Sequence, residues 1–174
     1  MIAKIFHGKD FMGAARYVLG KEKSQYVCGT LVGKNIVEIG DEIRKLGPAV
    51  QNLPRMVKPV FHESINLFPG ERFEPKIWEK VVREHMEVLG FSRSPWFAAR
   101  HSDKPHDHVH VVALRINSLD YKTVDSTYDA ERAAWHLHGV AGKYGLTLAP
   151  TNRIDYFARL GITPENYPNG PGPA

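Results

Sequence analysis

The sequence predicts an α+β fold, a central antiparallel β-sheet with helices packed on it, and three observations carry that expectation. Short β-like runs recur along the 174 residues, between longer segments whose apolar residues repeat with a helical period. Two of the runs, 95–101 and 108–117, are joined by SDKPHD, six residues rich in turn formers, and so read as a hairpin. The order of strands and helices fits antiparallel pairing with helices laid on the sheet.

Taken in order, MIAKIFH alternates as a first strand. Asp10 is placed to cap a helix from Phe11 to Leu19, closed by Gly20, with Phe11, Ala14, Ala15 and Val18 inward. Residues 24–32 are weakly β-like. Asn35 is placed to cap a helix that carries Ile36, Ile39, Ile43 and Leu46 and stops at Gly47-Pro48. Residues 56–68 form a strand whose proline suggests an edge position or a bulge. Pro75 opens a helix with Ile77, Trp78, Val81, Val82, Met86 and Leu89 on one face, ended by Gly90. The hairpin follows, then a helix over Asp129–Tyr144 with Ala130, Ala133, Ala134, Leu137, Val140, Ala141 and Tyr144 inward. The expected domain spans 1–162, and the Pro/Gly-rich stretch TPENYPNGPGPA, 163–174, reads as a tail or linker.

Composition narrows the class. Hydrophobic residues make up 43% and charged residues 24%, which suits one globular domain with a sizeable core. No apolar run is long enough to span a membrane, and MIAKIFHGKD lacks the apolar core of a signal peptide. Cys28 is the single cysteine, so no internal disulfide forms, and the expected location is the cytoplasm with no membrane insertion. Twenty-three Lys+Arg against nineteen Asp+Glu give +4, a basic excess compatible with a polyanionic partner.

The richest stretch is HSDKPHDHVH, 101–110, with four histidines and two aspartates in ten positions. A hairpin across it sets His101 opposite His108, with Cβ atoms about 5 Å apart. His110, two residues on, shares their face. Three neutral imidazoles converging from rigid strands, with coordination positions left open, make a catalytic metal site rather than a closed structural one. Such ligands suit Mn²⁺ and Zn²⁺ more than Mg²⁺, which prefers oxygens. Asp103 is a candidate acceptor orienting a ligand histidine. His136 and His138 flank the apolar stripe of their helix and read as solvated, and His85 reads as a packed residue. His62 shares a strand face with Ser64 and Asn66, a face that either lines the same site or is simply the polar side of the sheet.

His101-Ser-Asp103…His108-Val-His110 followed by an apolar strand resembles the histidine motif of the plasmid-mobilisation relaxases, HUH-class DNA strand transferases of the MobA/VirD-like kind. AARYVLGKEK, with Tyr17, resembles their opening helix, and FHESINLFPGE, with His62 and Ser64, their middle strand; the likeness covers roughly 1–150. Asn66 stands where a second serine is common, and Leu114 where a polar residue often precedes the basic one, here Arg115. The resemblance implies a divalent metal ion (Mn²⁺, Mg²⁺ or Zn²⁺) on His101, His108 and His110, and a tyrosine nucleophile. That nucleophile would nick single-stranded DNA at an origin of transfer through a 5′-phosphotyrosine, among accessory relaxosome proteins.

Tyr17 is the candidate nucleophile, because it lies off the Phe11/Ala14/Val18 stripe and Gly13, one turn earlier, leaves room for a DNA backbone. Tyr26 is the alternative. Asp103 or a metal-linked water would take the phenolic proton. Lys4, Arg16, Lys21, Lys23, Arg72 and Arg115 are candidate phosphate contacts, with His62, Ser64 and Asn66 on the DNA-facing strand. Three other readings stay open: a rolling-circle replication initiator of the same class, a non-catalytic DNA-binding relative, and a metal-dependent hydrolase of small molecules.

Overall fold

The structure, a computed structural model, describes residues 1–48 and 53–149. The expected tail, 163–174, and the end of the expected domain lie outside the described residues.

Five strands form one antiparallel sheet: β1 (Ile2–Gly8), β2 (Gln25–Gly29), β3 (Val60–Asn66), β4 (Trp96–His101) and β5 (His108–Leu114), in the spatial order β1-β3-β5-β4-β2. Four α-helices lie whole within the described residues: α1 (Phe11–Leu19), α2 (Ile36–Lys45), α3 (Pro75–Val88) and α4 (Asp129–Lys143). The helix starts follow the capping chemistry. Asp10 accepts from the Gly13 amide, Asn35 accepts from those of Val37 and Glu38, and Pro75 sits at the opening of α3. At the end of α3, Gly90 takes φ +86°, which lets the Phe91 amide turn back to the Met86 carbonyl at 2.7 Å.

Helices cover the sheet unequally. On one face Trp78, Val82 and Met86 of α3 and Leu137 of α4 pack against Phe61, Val109 and Val111. On the other, Phe11, Ala15 and Val18 of α1 and Ile39 of α2 pack against Phe97, Val112 and Leu114. Each large apolar side chain fully buried this way contributes about 1.5–3 kcal/mol. β5 is buried along its whole length because it lies between β3 and β4, under the α3 and α4 core on one face and with α1 over part of the other. The second face is covered only over its lower half. The upper halves of β1, β3 and β5 and the end of β4 are left for polar side chains, and the candidate site lies there.

Four expectations are corrected. β3 is an interior strand, not an edge: Pro59 precedes it, outside the ladder, where its carbonyl accepts from the Arg115 amide at 2.8 Å. The last strand ends at Leu114, beyond which Ile116 makes only an isolated bridge to Thr123. Gly13 does not clear space for DNA. A Cβ there would collide with the carboxylate of Asp10, so the glycine serves the helix cap. His136 is not solvated: its Nδ1 lies 2.9 Å from Nδ1 of His85, and its pKa is pushed down to about 3, by burial first and then by His85. His85 and Glu63, both fully buried, meet at 3.0 Å, so a chain Glu63–His85–His136 runs between β3, α3 and α4 on the face away from the site.

Candidate active site and metal centre

The β4–β5 ladder pairs His101 with His108, and His110 follows on the same face. Ring centroids are 5.4 Å apart for His101–His108, 4.5 Å for His101–His110 and 5.3 Å for His108–His110. One ligand nitrogen from each of the three lies within 4.8 Å of the others. All three are buried, at 2%, 1% and 7% exposure, so none is an ordinary surface histidine.

The hydrogen bonds around the triad fix which nitrogen faces inward. Nε2 of His101 donates to the Val18 carbonyl at 2.8 Å, at the C-terminal end of α1 where helix carbonyls lack intrahelical partners. Nδ1 of His108 donates to the His106 carbonyl at 3.2 Å. Nδ1 of His110 stands 3.1 Å from Nε2 of His62. The nitrogens left over are His101 Nδ1, His108 Nε2 and His110 Nε2. The first two are buried with no hydrogen-bond partner. A buried polar atom without a partner is expensive, about 1–3 kcal/mol, and two of them converging in one cluster is the signature of a site built for a cation. The donor set, three imidazoles whose other nitrogens are oriented by carbonyls and a histidine, fits a transition-metal ion. Burial also lowers the pKa of each, His110 to about 3, so the rings stay neutral and able to ligate.

Tyr17 of α1 stands over this cluster. Its ring centroid is 6.0 Å from that of His62 and 5.9 Å from that of His110, while half of the residue is exposed to solvent. Val18, next in sequence, is tied to His101, so the helix end that carries Tyr17 is docked on a member of the triad. Lys21 links the other side. Its ammonium lies 5.2 Å from the Tyr17 ring centroid and 3.2 Å from Oδ2 of Asp103. Partial desolvation works against ionisation of Asp103, but the hydrogen bond and charge of Lys21 outweigh it and hold the carboxyl below its ordinary range.

Asp103 is therefore brought to the site, though not in the expected manner. Its Oδ1 approaches Nε2 of His108 at 3.4 Å, the inward-facing nitrogen, whereas the backbone carbonyl of His106 does the orienting. Sequence reasoning left the position of His62 open; the signal was its diagonal place, since Ser64 pairs with His110 and His62 lies two residues along the same face. Asn66 and His106 are joined, Nε2 of His106 donating to Oδ1 of Asn66 at 3.2 Å, and the Asn66 amide also reaches Ser64. Lys4, paired in register with Ser64, lies on the same face.

Other residues fall elsewhere. Arg16 and Lys23 are exposed, with no ion pair among the described residues. Arg72 lines a polar cavity of about 220 Å³ at the hairpin loop, with Arg100, Lys104 and His101 of the triad. Arg115 sits at the far end of β5, donating to the carbonyls of Lys58 and Val124, both at 3.1 Å. The Tyr26 hydroxyl donates to the Leu31 carbonyl at 2.9 Å, and burial raises its pKa to about 12.

A buried histidine triad on a sheet, with a tyrosine-bearing helix docked on it, is an arrangement that could hold a metal ion beside an exposed phenol. Comparison with known families agrees: residues 17–146 match the relaxase family described as MobA/VirD2-like, nuclease domain. The match spans well over half of the chain, which belongs to that family. Relaxase nuclease domains nick DNA, bind it single-stranded and depend on a metal ion. No curated protein matches the chain. No helix among the described residues is long and apolar enough to cross a membrane.

Proposed function

We propose that this chain nicks one DNA strand at an origin of transfer and holds the cut end as a 5′-phosphotyrosine on Tyr17, the step that starts plasmid mobilisation. The observation that carries the reading is the docking of α1 on the triad: Tyr17 stands beside His110 and His62, and its neighbour Val18 is bonded to His101. A divalent ion held by His101, His108 and His110 would neutralise charge on the scissile phosphate and make its phosphorus more electrophilic.

The chain's own groups do the rest. The Tyr17 oxygen attacks phosphorus, forming the Tyr–O–P bond as the P–O3′ bond breaks. The phenolic proton passes to water or to Asp103, the ionised carboxylate at the site, and the departing 3′ oxygen takes a proton from solvent. A free phenol ionises near about pH 10, so the reaction needs an acceptor at neutral pH. Lys21 serves both partners, steadying the Asp103 carboxylate and lying over the Tyr17 ring. His62 orients His110. One phosphodiester is exchanged for another, so the same residues run the reaction backwards when a 3′-hydroxyl attacks the phosphotyrosine, and strand joining needs no external energy source.

The test is nicking of supercoiled plasmid carrying the matching origin, with Mn²⁺ or with chelator. The reading requires relaxation with the metal and none with chelator or in His108→Ala. Normal nicking by His108→Ala in chelator would overturn it.

A further inference from the structure

The outward face of β1 holds three residues that neither the fold nor the triad uses. Ile2, Lys4 and Phe6 point to the same side of the sheet as Asn66, Ser64 and His62, their register partners on β3. Phe6 is 60% exposed and Ile2 41%, an apolar pair left uncovered on an edge strand. Edge strands are normally blunted rather than made sticky, and here the two exposed apolar side chains share one face of the edge strand. Phe6 is also continuous with the active site. Its ring centroid lies 6.3 Å from that of His62, and Tyr17 lies 6.0 Å from His62 on the other side.

At the other end of the strip a cavity of about 260 Å³ opens between Ile2, Lys4, Asn66, Phe68, Lys104 and His106. Ile2 and Phe68 give it apolar lining, Asn66 and His106 polar lining, and Lys4 and Lys104 border it as well. No ion pair engages Lys4 or Lys104 among the described residues, and Lys104 also lines the neighbouring cavity together with His101, which places it beside the triad. The Phe6-to-Ile2 span is about 13 Å at strand spacing, the reach of a short single-stranded segment. A flat aromatic ring, a base-sized cavity and two lysines with no ion pair among the described residues match the repeating chemistry of a nucleic-acid strand: planar base, then phosphate.

We propose that this strip is a nucleotide subsite beside the nick. One base stacks on Phe6, a neighbouring base enters the cavity at Asn66 and Phe68, and Lys4 and Lys104 hold the flanking phosphates. The inference rests on the DNA-nicking reading above and adds to it the path of the strand.

The experiment is fluorescence anisotropy with fluorescein-labelled, mixed-sequence single strands on the full chain, in chelator so that nothing is cut, over a salt series. Phe6→Ala is expected to raise Kd by about fivefold or more, without changing the log–log salt slope or the melting temperature, and Phe6→Trp to restore affinity. Lys4→Ala and Lys104→Ala are expected each to reduce the slope by about 0.7. Wild-type binding with no loss in Phe6→Ala overturns the subsite alone and leaves the nicking reading standing. So does a dimer-to-monomer change in Phe6→Ala at constant DNA affinity, which would make the strip an interface between copies. No binding by the wild-type chain overturns both.

Discussion

Two nitrogen atoms, Nδ1 of His101 and Nε2 of His108, are buried without a hydrogen-bond partner, and the account of the site begins with them. They were half legible in the sequence. Hairpin geometry puts three histidines on one face, because residues directly opposite and two apart share a side of the sheet. Which nitrogen of each ring faces inward depends on contacts from distant segments: the Val18 carbonyl for His101, and His62 for His110. No local spacing encodes those. His62 gives the residue-scale prediction. As the group that orients His110, it should matter for ion binding without ligating: His62→Ala should weaken Mn²⁺ or Zn²⁺ affinity about 10–100-fold in calorimetric titration. Affinity equal to wild type would show that the ring of His110 is held by the strand alone. Asp103 is the reverse case: the sequence found the residue, but the structure places its carboxylate by the inward nitrogen of His108, at 3.4 Å.

Helices and the hairpin were the legible elements. Their apolar periods and caps lie within a few residues of one another, so α1, α2, α3 and α4 could be read locally. The position of β3 could not. Pro59 signalled an edge, yet it stops one residue short of the ladder, and β3 pairs with β1 and β5, more than forty residues away on either side. His136 was misread for the same reason, since its partner His85 lies on another helix. Two predictions belong at this scale. Asp10→Ala removes the cap of α1 and should cost about 0.5–2 kcal/mol in urea unfolding, and by loosening the start of the helix that carries Tyr17 it should lower nicking as well; an unchanged urea midpoint would mean the cap contributes nothing. The second concerns pH. His136 has a folded pKa of about 3 against an unfolded value near 6.5, so the unfolded chain binds more protons between those values. Its contribution to stability is complete above about pH 6.5 and is lost progressively as pH falls toward 3. Tm should therefore drop over that window by more than the roughly 2–4 °C that one kcal/mol moves a chain of this size. His136→Leu should flatten the curve; an identical pH profile in that variant would assign the effect to other groups.

At the scale of the molecule, one sheet serves two purposes. The face under α3 and α4 supplies the larger core, and the half-covered face presents the triad, Tyr17 and the exposed strip of β1. The net charge of +4 is small, so binding of single strands should rest on a few placed lysines rather than on a broad basic field, with a modest salt slope of about −0.7 per phosphate contact. The central claim is that Tyr17, held on the triad by α1, forms the covalent bond to DNA. The measurement that tests it most directly is a labelled pool of single-stranded oligonucleotides incubated with the chain and Mn²⁺. The denaturation-resistant adduct is then digested and the DNA-linked peptide identified, beside the same assay on Tyr17→Phe. The account predicts a single linked peptide carrying Tyr17, and an adduct yield reduced about 10³-fold or more in Tyr17→Phe while DNA binding is retained. An adduct on Tyr26, or one formed by Tyr17→Phe at the wild-type rate, would contradict it.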